Sequence, residues 1–257
     1  MAETANPSPI DRLLGIMRQL RNPDGGCEWD LAQDFSTIAS YTIEEAYEVA
    51  DAIAGGRPDA ICDELGDLLL QVVFHSQIAA DDQLFTFDDV ATAISDKMER
   101  RHPHIFGDGT THDVRQQWET IKAAERAADG PQGALAGVAL SLPALLRAQK
   151  LQSRAARVGF DWPDSDGARD KIVEELAEVA DAGSDAERHE EVGDLLLAVV
   201  NYARKLGVDA EGALRDANIK FARRFAAMED RAGGTLAGLP LDAQEAHWQA
   251  VKQAERA

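Results

Sequence analysis

The sequence predicts an all-α protein built as a tandem repeat of two helical-bundle domains. Three observations point there. Apolar residues recur every three to four positions between Gly- and Pro-containing stops, the period of an amphipathic helix. No stretch sustains the polar/apolar alternation of a strand. Blocks of residues also occur twice, in the same order, in the two halves of the chain.

Residues 1–9 carry two prolines and read as a loose start. From Ile10 to Arg21, Ile10, Leu13, Leu14, Met17 and Leu20 share a helical face. Asn22-Pro23-Asp24-Gly25-Gly26 ends that helix, and Cys27-Glu28-Trp29-Asp30 leads through a short loop to Ser36. A second helix is expected from about Thr37 to Ala54, stopped by Gly55-Gly56 and Pro58. A third runs from about Asp59 to Asp81, with Leu65, Leu68, Leu69, Val72, Val73 and Ile78 toward the core. Gly66 inside it costs about 1 kcal/mol relative to Ala, which predicts a close helix approach there. Thr86-Phe87-Asp88-Asp89 is a capped start for a helix through Arg101, broken at His102-Pro103. His112 to Ala128 is the next expected helix, with Trp118, Ile121 and Lys122. The Gly-, Ala- and Pro-rich segment 129–141 is the predicted linker between domains 1–128 and 142–257. The second half predicts helices at about 142–157, 165–182, 185–206, 209–232 and 241–257.

At 257 residues with 45% hydrophobic content, the chain can bury a core in one large or two smaller domains. Its net charge is −20, which repels the backbone of long nucleic acids and anionic lipid. A small anionic ligand stays possible, because a metal ion and a few Lys or Arg reverse the local sign. No apolar run approaches a membrane span and nothing resembles a signal peptide. Cys27 and Cys62 form no CxxC pair, so isolated thiols in a reducing cytoplasm are expected.

The repeat is densest where the chain is most acidic. Glu44-Glu45-x-x-Glu48 matches Glu174-Glu175-x-x-Glu178, and Glu64-Leu65-Gly66-Asp67 matches Glu191-Val192-Gly193-Asp194. Lys97-x-x-Arg100-Arg101 matches Lys220-x-x-Arg223-Arg224, and Trp118-x-x-x-Lys122 matches Trp248-x-x-x-Lys252. One EExxE alone is ordinarily a solvated acidic face. Two paired helices, each presenting carboxylates to the other, put repelling charges into one space, and a divalent cation relieves that. The sets hold neither the Glu-x-x-His of a di-iron bundle nor the His and Cys of a zinc site. All-oxygen ligands suit Mg²⁺ or Mn²⁺. Mg²⁺ keeps some water and binds phosphate oxygens, so metal-assisted phosphoanhydride hydrolysis is the chemistry these residues favour. Lys171, Lys220, Arg223, Arg224 and Lys252 are candidate phosphate cations, and Trp248 a candidate stacking surface.

With these acid motifs, RRHPHIF at Arg100–Phe106, SLPALLRAQK at Ser141–Lys150 and VGFDW at Val158–Trp162, the whole chain resembles the MazG nucleoside triphosphate pyrophosphohydrolases. The resemblance implies an all-α homodimer that uses Mg²⁺ to cleave nucleoside triphosphates between the α and β phosphates. It places metal ligands on Glu175, Glu178, Glu191 and Asp194, with Glu174 beside them as a further catalytic carboxylate. It places nucleotide contacts on Lys171, Lys220, Arg224 and Trp248, and on Asn201 and Lys252. The first half supplies a second possible metal site at Glu45, Glu48, Glu64 and Asp67. There Tyr41 stands where the second half has Lys171, and Phe74 where it has Asn201. Both differences agree with the family's use of the second domain as the main hydrolase. Two features depart from the pattern: Glu28 follows Cys27 where the family has Pro, and the loop Ala182–Arg188 is short, leaving Arg188 as its candidate phosphate cation. Two rival readings are a regulatory protein that holds metal and nucleotide without turnover, and an enzyme that removes a single phosphate.

Overall fold

The computed structural model describes residues 7–107, 118, 121 and 133–256. The expected helix at 112–128, apart from Trp118 and Ile121, lies outside the described residues, as do residues 129–132 of the expected linker. Helices and turns make up the described residues, with no strand among them. The chain divides into two compact units, Met1–Glu125 and Arg126–Ala257.

The first unit holds α1 (Pro9–Leu20), α2 (Glu28–Leu31), α3 (Phe35–Gly55), α4 (Pro58–Asp81), α5 (Phe87–Arg101) and α6 (Pro103–Phe106). Three of these starts are fixed by reciprocal capping: Ser8 with Asp11, Asp34 with Thr37, and Thr86 with Asp89. Each such cap stabilises its helix by about 1 kcal/mol. Gly56 closes α3 in the left-handed conformation, φ 67°, which a side chain would resist. α3 and α4 lie against each other along their length, and α1 packs on α4. Between them Met17, Ile38, Val73, Phe74 and Ile78 form the core, flanked by Ile10, Leu13, Leu14, Leu70 and Phe87.

Three expectations fail here. Leu65, Leu69 and Val72 do not enter this core but lie on an exposed face of α4. α4 is apolar on more than one face, and among the described residues α1, α3 and α5 pack on it while leaving these three side chains exposed. Gly66 is on that exposed side too: a Cβ there would meet nothing within 4 Å among the described residues, so no close approach explains it. The loop before α3 also contains the short helix α2, which the Gly-rich stop before it had hidden.

The second unit holds α7 (Ala144–Arg157), α8 (Asp166–Asp181), α9 (Asp185–Lys205), α10 (Ala210–Arg231) and α11 (Leu241–Ala254). α8 and α9 form the most extensive pairing; α9 also packs on α7, and α10 on both α7 and α11. Ser184 caps α9 through the Glu187 N–H. A small core of Met228, Leu236 and Val251, with Trp248 and Leu239 against it, ties α11 to α10.

Candidate metal and nucleotide site

Helical geometry builds the site. On α8, Lys171, Glu174, Glu175 and Glu178 are spaced three, four and seven apart, so they share a flank. On α9, Glu191 and Asp194 do the same one turn apart. Packing of α8 on α9 brings Glu175, Glu178 and Glu191 together, with one carboxylate oxygen of each within 4.8 Å of the others. Glu175 is 4% exposed. Its Oε1 accepts from Lys171 Nζ at 2.7 Å, while its Oε2 is buried and meets no donor among the described residues. Lys171 also reaches Glu174 Oε1 at 2.9 Å and approaches Glu178 Oε2 at 4.0 Å.

The charges respond as expected of crowded carboxylates. Partial desolvation of Glu178, with Glu175 and Glu191 nearby, raises its carboxyl above the ordinary range, although Lys171 opposes the shift. Hydrogen bonds to Glu175 and Glu174 push the Lys171 ammonium strongly upward. A buried carboxylate oxygen with no donor is costly and calls for a cation. The donor set is wholly oxygen, so a hard divalent ion fits it.

These residues stand at one end of a cleft of about 640 Å³. Lys171, Glu175 and Asp194 line that end. The lining continues up one face of α9, through Leu197, Ala198 and Asn201 to Arg204, and across to the loop Gly159–Trp162. Asp194 and Arg204 are ten residues apart, about 15 Å at the rise of an α-helix.

The structure thus gathers Lys171, Glu175, Asp194 and Asn201 around one cleft, with Glu178 and Glu191 beside them. Glu174 is exposed and bonded to Lys171. Lys220, Arg224, Trp248 and Lys252 do not line this cleft; they lie on α10 and α11. Arg224 donates to Glu255 Oε2 at 2.6 and 2.8 Å and sits over the Trp248 ring at 5.7 Å, with Phe221 also 5.7 Å from Trp248. Arg188 pairs with Asp185 at 2.7 Å on the exposed first turn of α9.

The sequence reading missed Asp161, Trp162 and Arg204. Arg204 donates to Asp161 Oδ1 at 2.5 Å and to Asn201 Oδ1 at 2.9 Å from Nε and 2.6 Å from Nη2. Burial would raise the Asp161 carboxyl, but hydrogen bonds from Arg204 and Lys205 outweigh it and hold the group below the usual range. Tracking the Asp194 face along α9 by helical steps would have found Arg204; nothing in sequence spacing links it to Asp161.

The first unit repeats the carboxylates and changes their neighbours. Glu45, Glu48 and Glu64 converge as their counterparts do, and Glu45 Oε2 is again buried without a donor among the described residues. Desolvation, then Glu48 and the nearby Asp67 and Glu64, raise the Glu45 carboxyl. Desolvation, then Glu48, Asp67 and Asp63, raise that of Glu64. Tyr41 and Phe74 occupy the positions of Lys171 and Asn201, and Trp29 packs edge-on to both, at 6.3 and 6.4 Å between ring centroids.

Comparison with known proteins decides the family. The model of the MazG nucleotide pyrophosphohydrolase domain matches residues 33–106 and 167–227, one match in each half. The chain belongs to the MazG family. A nucleoside triphosphate pyrophosphohydrolase of Escherichia coli K12 is 49% identical over 257 residues, covering 96% of this chain and 98% of the relative. A nucleoside triphosphate pyrophosphohydrolase/pyrophosphatase MazG of Thermotoga maritima is 43% identical, covering 95% of each. A nucleoside triphosphate pyrophosphohydrolase of Mycolicibacterium smegmatis is 34% identical over 60% of this chain and 49% of its own length. MazG hydrolases depend on a metal, and both acid clusters found here sit inside the matched segments.

Proposed function

We propose that this chain is a nucleoside triphosphate pyrophosphohydrolase that cleaves between the α and β phosphates, releasing a nucleoside monophosphate and pyrophosphate, with Mg²⁺ as its metal and Mn²⁺ as a substitute. The observation that carries this reading is Glu175: buried, one oxygen on Lys171, the other without a donor, at the head of a cleft large enough for a nucleotide. Glu175, Glu178, Glu191 and Asp194 hold the metal. When bound, it supplies charge neutralisation at the phosphates and an acidified water. Lys171 turns its ammonium to the triphosphate and offsets the charge there. Glu174, exposed and sharing Lys171, accepts the proton of the attacking water. Water oxygen bonds to the α-phosphorus as the bond to the bridging oxygen breaks, and pyrophosphate leaves.

The first unit is proposed as a divalent-cation site at Glu45, Glu48, Glu64 and Asp67 with a structural or regulatory role. Tyr41 and Phe74 stand where the second unit has the Lys171 ammonium and the Asn201 carboxamide, and Trp29 packs on both rings. The absence of counterparts to Lys171 and Asn201 supports binding without turnover as the role of this unit.

A homodimer is proposed as the working form. In the second unit Val173, Leu176, Val192 and Leu196 on α8 and α9 are large apolar side chains left exposed, and in the first unit so are Leu65 and Leu69 on α4, so each unit has apolar side chains suited to a second copy. In such a dimer Lys220, Arg224, Trp248 and Lys252 of one copy reach the nucleotide in the cleft of the other. Nucleoside triphosphates are its partners; long nucleic acids and membranes are not. No helix among the described residues is long and apolar enough to cross a membrane, and a cytoplasmic location is proposed. The test is a panel of ordinary and modified nucleoside triphosphates with Mg²⁺, scored for pyrophosphate against orthophosphate. Orthophosphate alone would overturn the reaction assigned, and nucleotide binding without cleavage would favour the regulatory reading.

A further inference from the structure

We propose that Arg204, held by Asp161, is a positioning residue that fixes Asn201 as a pure hydrogen-bond donor toward the nucleoside part of the substrate. The proposal rests on the nucleotide reading of this cleft. Arg204 contacts two groups that come from different parts of the unit: Asp161 on the loop before α8 and Asn201 on its own helix, one turn back. A guanidinium carries only donors, so the atom of Asn201 facing it must be the carbonyl oxygen. That oxygen takes both Nε and Nη2 of Arg204. Asn201 is 7% exposed and lines the cleft, so what remains for a ligand is its NH₂.

The network is anchored on the loop side. Asp161 also accepts from Lys205 Nζ at 3.3 Å, and Lys205 donates to the Trp162 carbonyl at 2.5 Å. Arg204, Asp161 and Lys205 are 15%, 19% and 13% exposed in their side chains, so the three are shielded from bulk screening. The Trp162 ring lies over Gly167 at the start of α8, so close that a Cβ there would be 2.1 Å from its Cδ1. Loop, α8 and α9 are therefore pinned together on this side of the cleft.

Position along α9 says which part of a nucleotide meets Asn201. Phosphates and metal belong with Lys171, Glu175 and Asp194. Asn201 is two helical turns further on, beyond Leu197 and Ala198 and facing the Phe160–Trp162 loop. Apolar walls with one oriented donor suit the sugar and base, and the partner of the Asn201 NH₂ is an acceptor on them.

The experiment is a double-mutant cycle on the full chain, reading KM and kcat for pyrophosphate release and the Kd of a non-hydrolysable nucleoside triphosphate analogue. Arg204→Met is expected to raise KM and Kd about tenfold, the scale of one lost hydrogen bond, with kcat within about threefold. Arg204→Lys keeps a donor for the Asn201 oxygen and recovers part of the loss. Asn201→Ala raises KM and Kd similarly, and Arg204→Met added to it changes them by less than about twofold, because Arg204 acts through Asn201. Asn201→Asp keeps the Arg204 contact and the melting temperature yet loses the donor, so it binds as poorly as Asn201→Ala. Full additivity of the two single losses, or wild-type affinity in Asn201→Asp, would overturn the proposal, and Asn201→Asp decides it even if Arg204→Met fails to fold. The analogue Kd keeps the result separate from the reaction assigned: a chain that binds but releases no pyrophosphate refutes the reaction, not the positioning.

Discussion

Lys171→Met is expected to move two measured quantities in opposite directions. The ammonium stands 2.7 Å from Glu175 Oε1, 2.9 Å from Glu174 Oε1 and 4.0 Å from Glu178 Oε2. It is the counter-charge of the cluster and also a competitor of any cation that enters it. Two unit charges 4 Å apart interact by about 1 kcal/mol even in water, and by more in a half-buried site. Removing the ammonium also frees Glu175 Oε1. Divalent-ion affinity of the nucleotide-free protein should therefore rise about tenfold, the equivalent of about 1.4 kcal/mol. Stability in chelator should fall. The loss of the charge-assisted bond to buried Glu175 is the larger part, whereas the bond to exposed Glu174 adds little. For a unit of this size the expected drop in Tm is roughly 5 °C or more, largely restored by Mg²⁺. Titration calorimetry with Mg²⁺ and Mn²⁺, and melting curves in chelator and in Mg²⁺, measure both. Unchanged or weaker metal binding in Lys171→Met would refute the reasoning, as would an equal Tm loss with and without Mg²⁺.

Other outcomes follow from the same contacts. Glu45→Gln should leave pyrophosphate release within about threefold, and Glu175→Gln should lower it at least about 100-fold, the scale of removing one preorganised charge-stabilising group; equal losses would contradict the asymmetry of the two units. Gly167→Ala drives a Cβ into the Trp162 ring, an overpacking of about 1–3 kcal/mol; since that ring is 40% exposed it should swing outward, shifting tryptophan fluorescence and raising KM severalfold. The raised carboxyls of Glu45 and Glu64 make the folded first unit bind protons more tightly than the unfolded chain, so in chelator their contribution is full below the ordinary glutamate value of 4.5 and is lost as pH rises through the raised native values. Melting of wild type and of Glu45→Gln between pH 4.5 and neutrality should show the wild type losing more on the way up, and a divalent cation should return it; no difference between the two would rule out this origin.

The carboxylate cluster was legible in the sequence because its information is local. EExxE and ExxD each fix a helical flank, and only the pairing of α8 with α9 had to be supplied by the fold. The repeat then exposed Tyr41 and Phe74 as departures from Lys171 and Asn201. Residues whose meaning is non-local were not legible. Asp161 finds Arg204 across 43 positions of chain, and no periodicity encodes that contact. Trp248 carries a signal that spacing cannot resolve, since an aromatic at helical spacing marks burial as readily as binding. In the structure it packs in the α10–α11 core, between Phe221 and Arg224 and away from the cleft lining. Leu65, Leu69 and Val72 were expected inside because hydrophobic residues usually are, and an apolar face left exposed carries the same signal in the sequence.

The central claim is that water attacks the α-phosphorus at the Glu175 cluster. Hydrolysis of a nucleoside triphosphate in H₂¹⁸O with Mg²⁺, followed by mass spectrometry of both products, tests it most directly. The account predicts the label in the nucleoside monophosphate alone, and product formation at least about 100-fold slower in Glu175→Gln. Label in the pyrophosphate, or labelled monophosphate formed at the wild-type rate by Glu175→Gln, would contradict it.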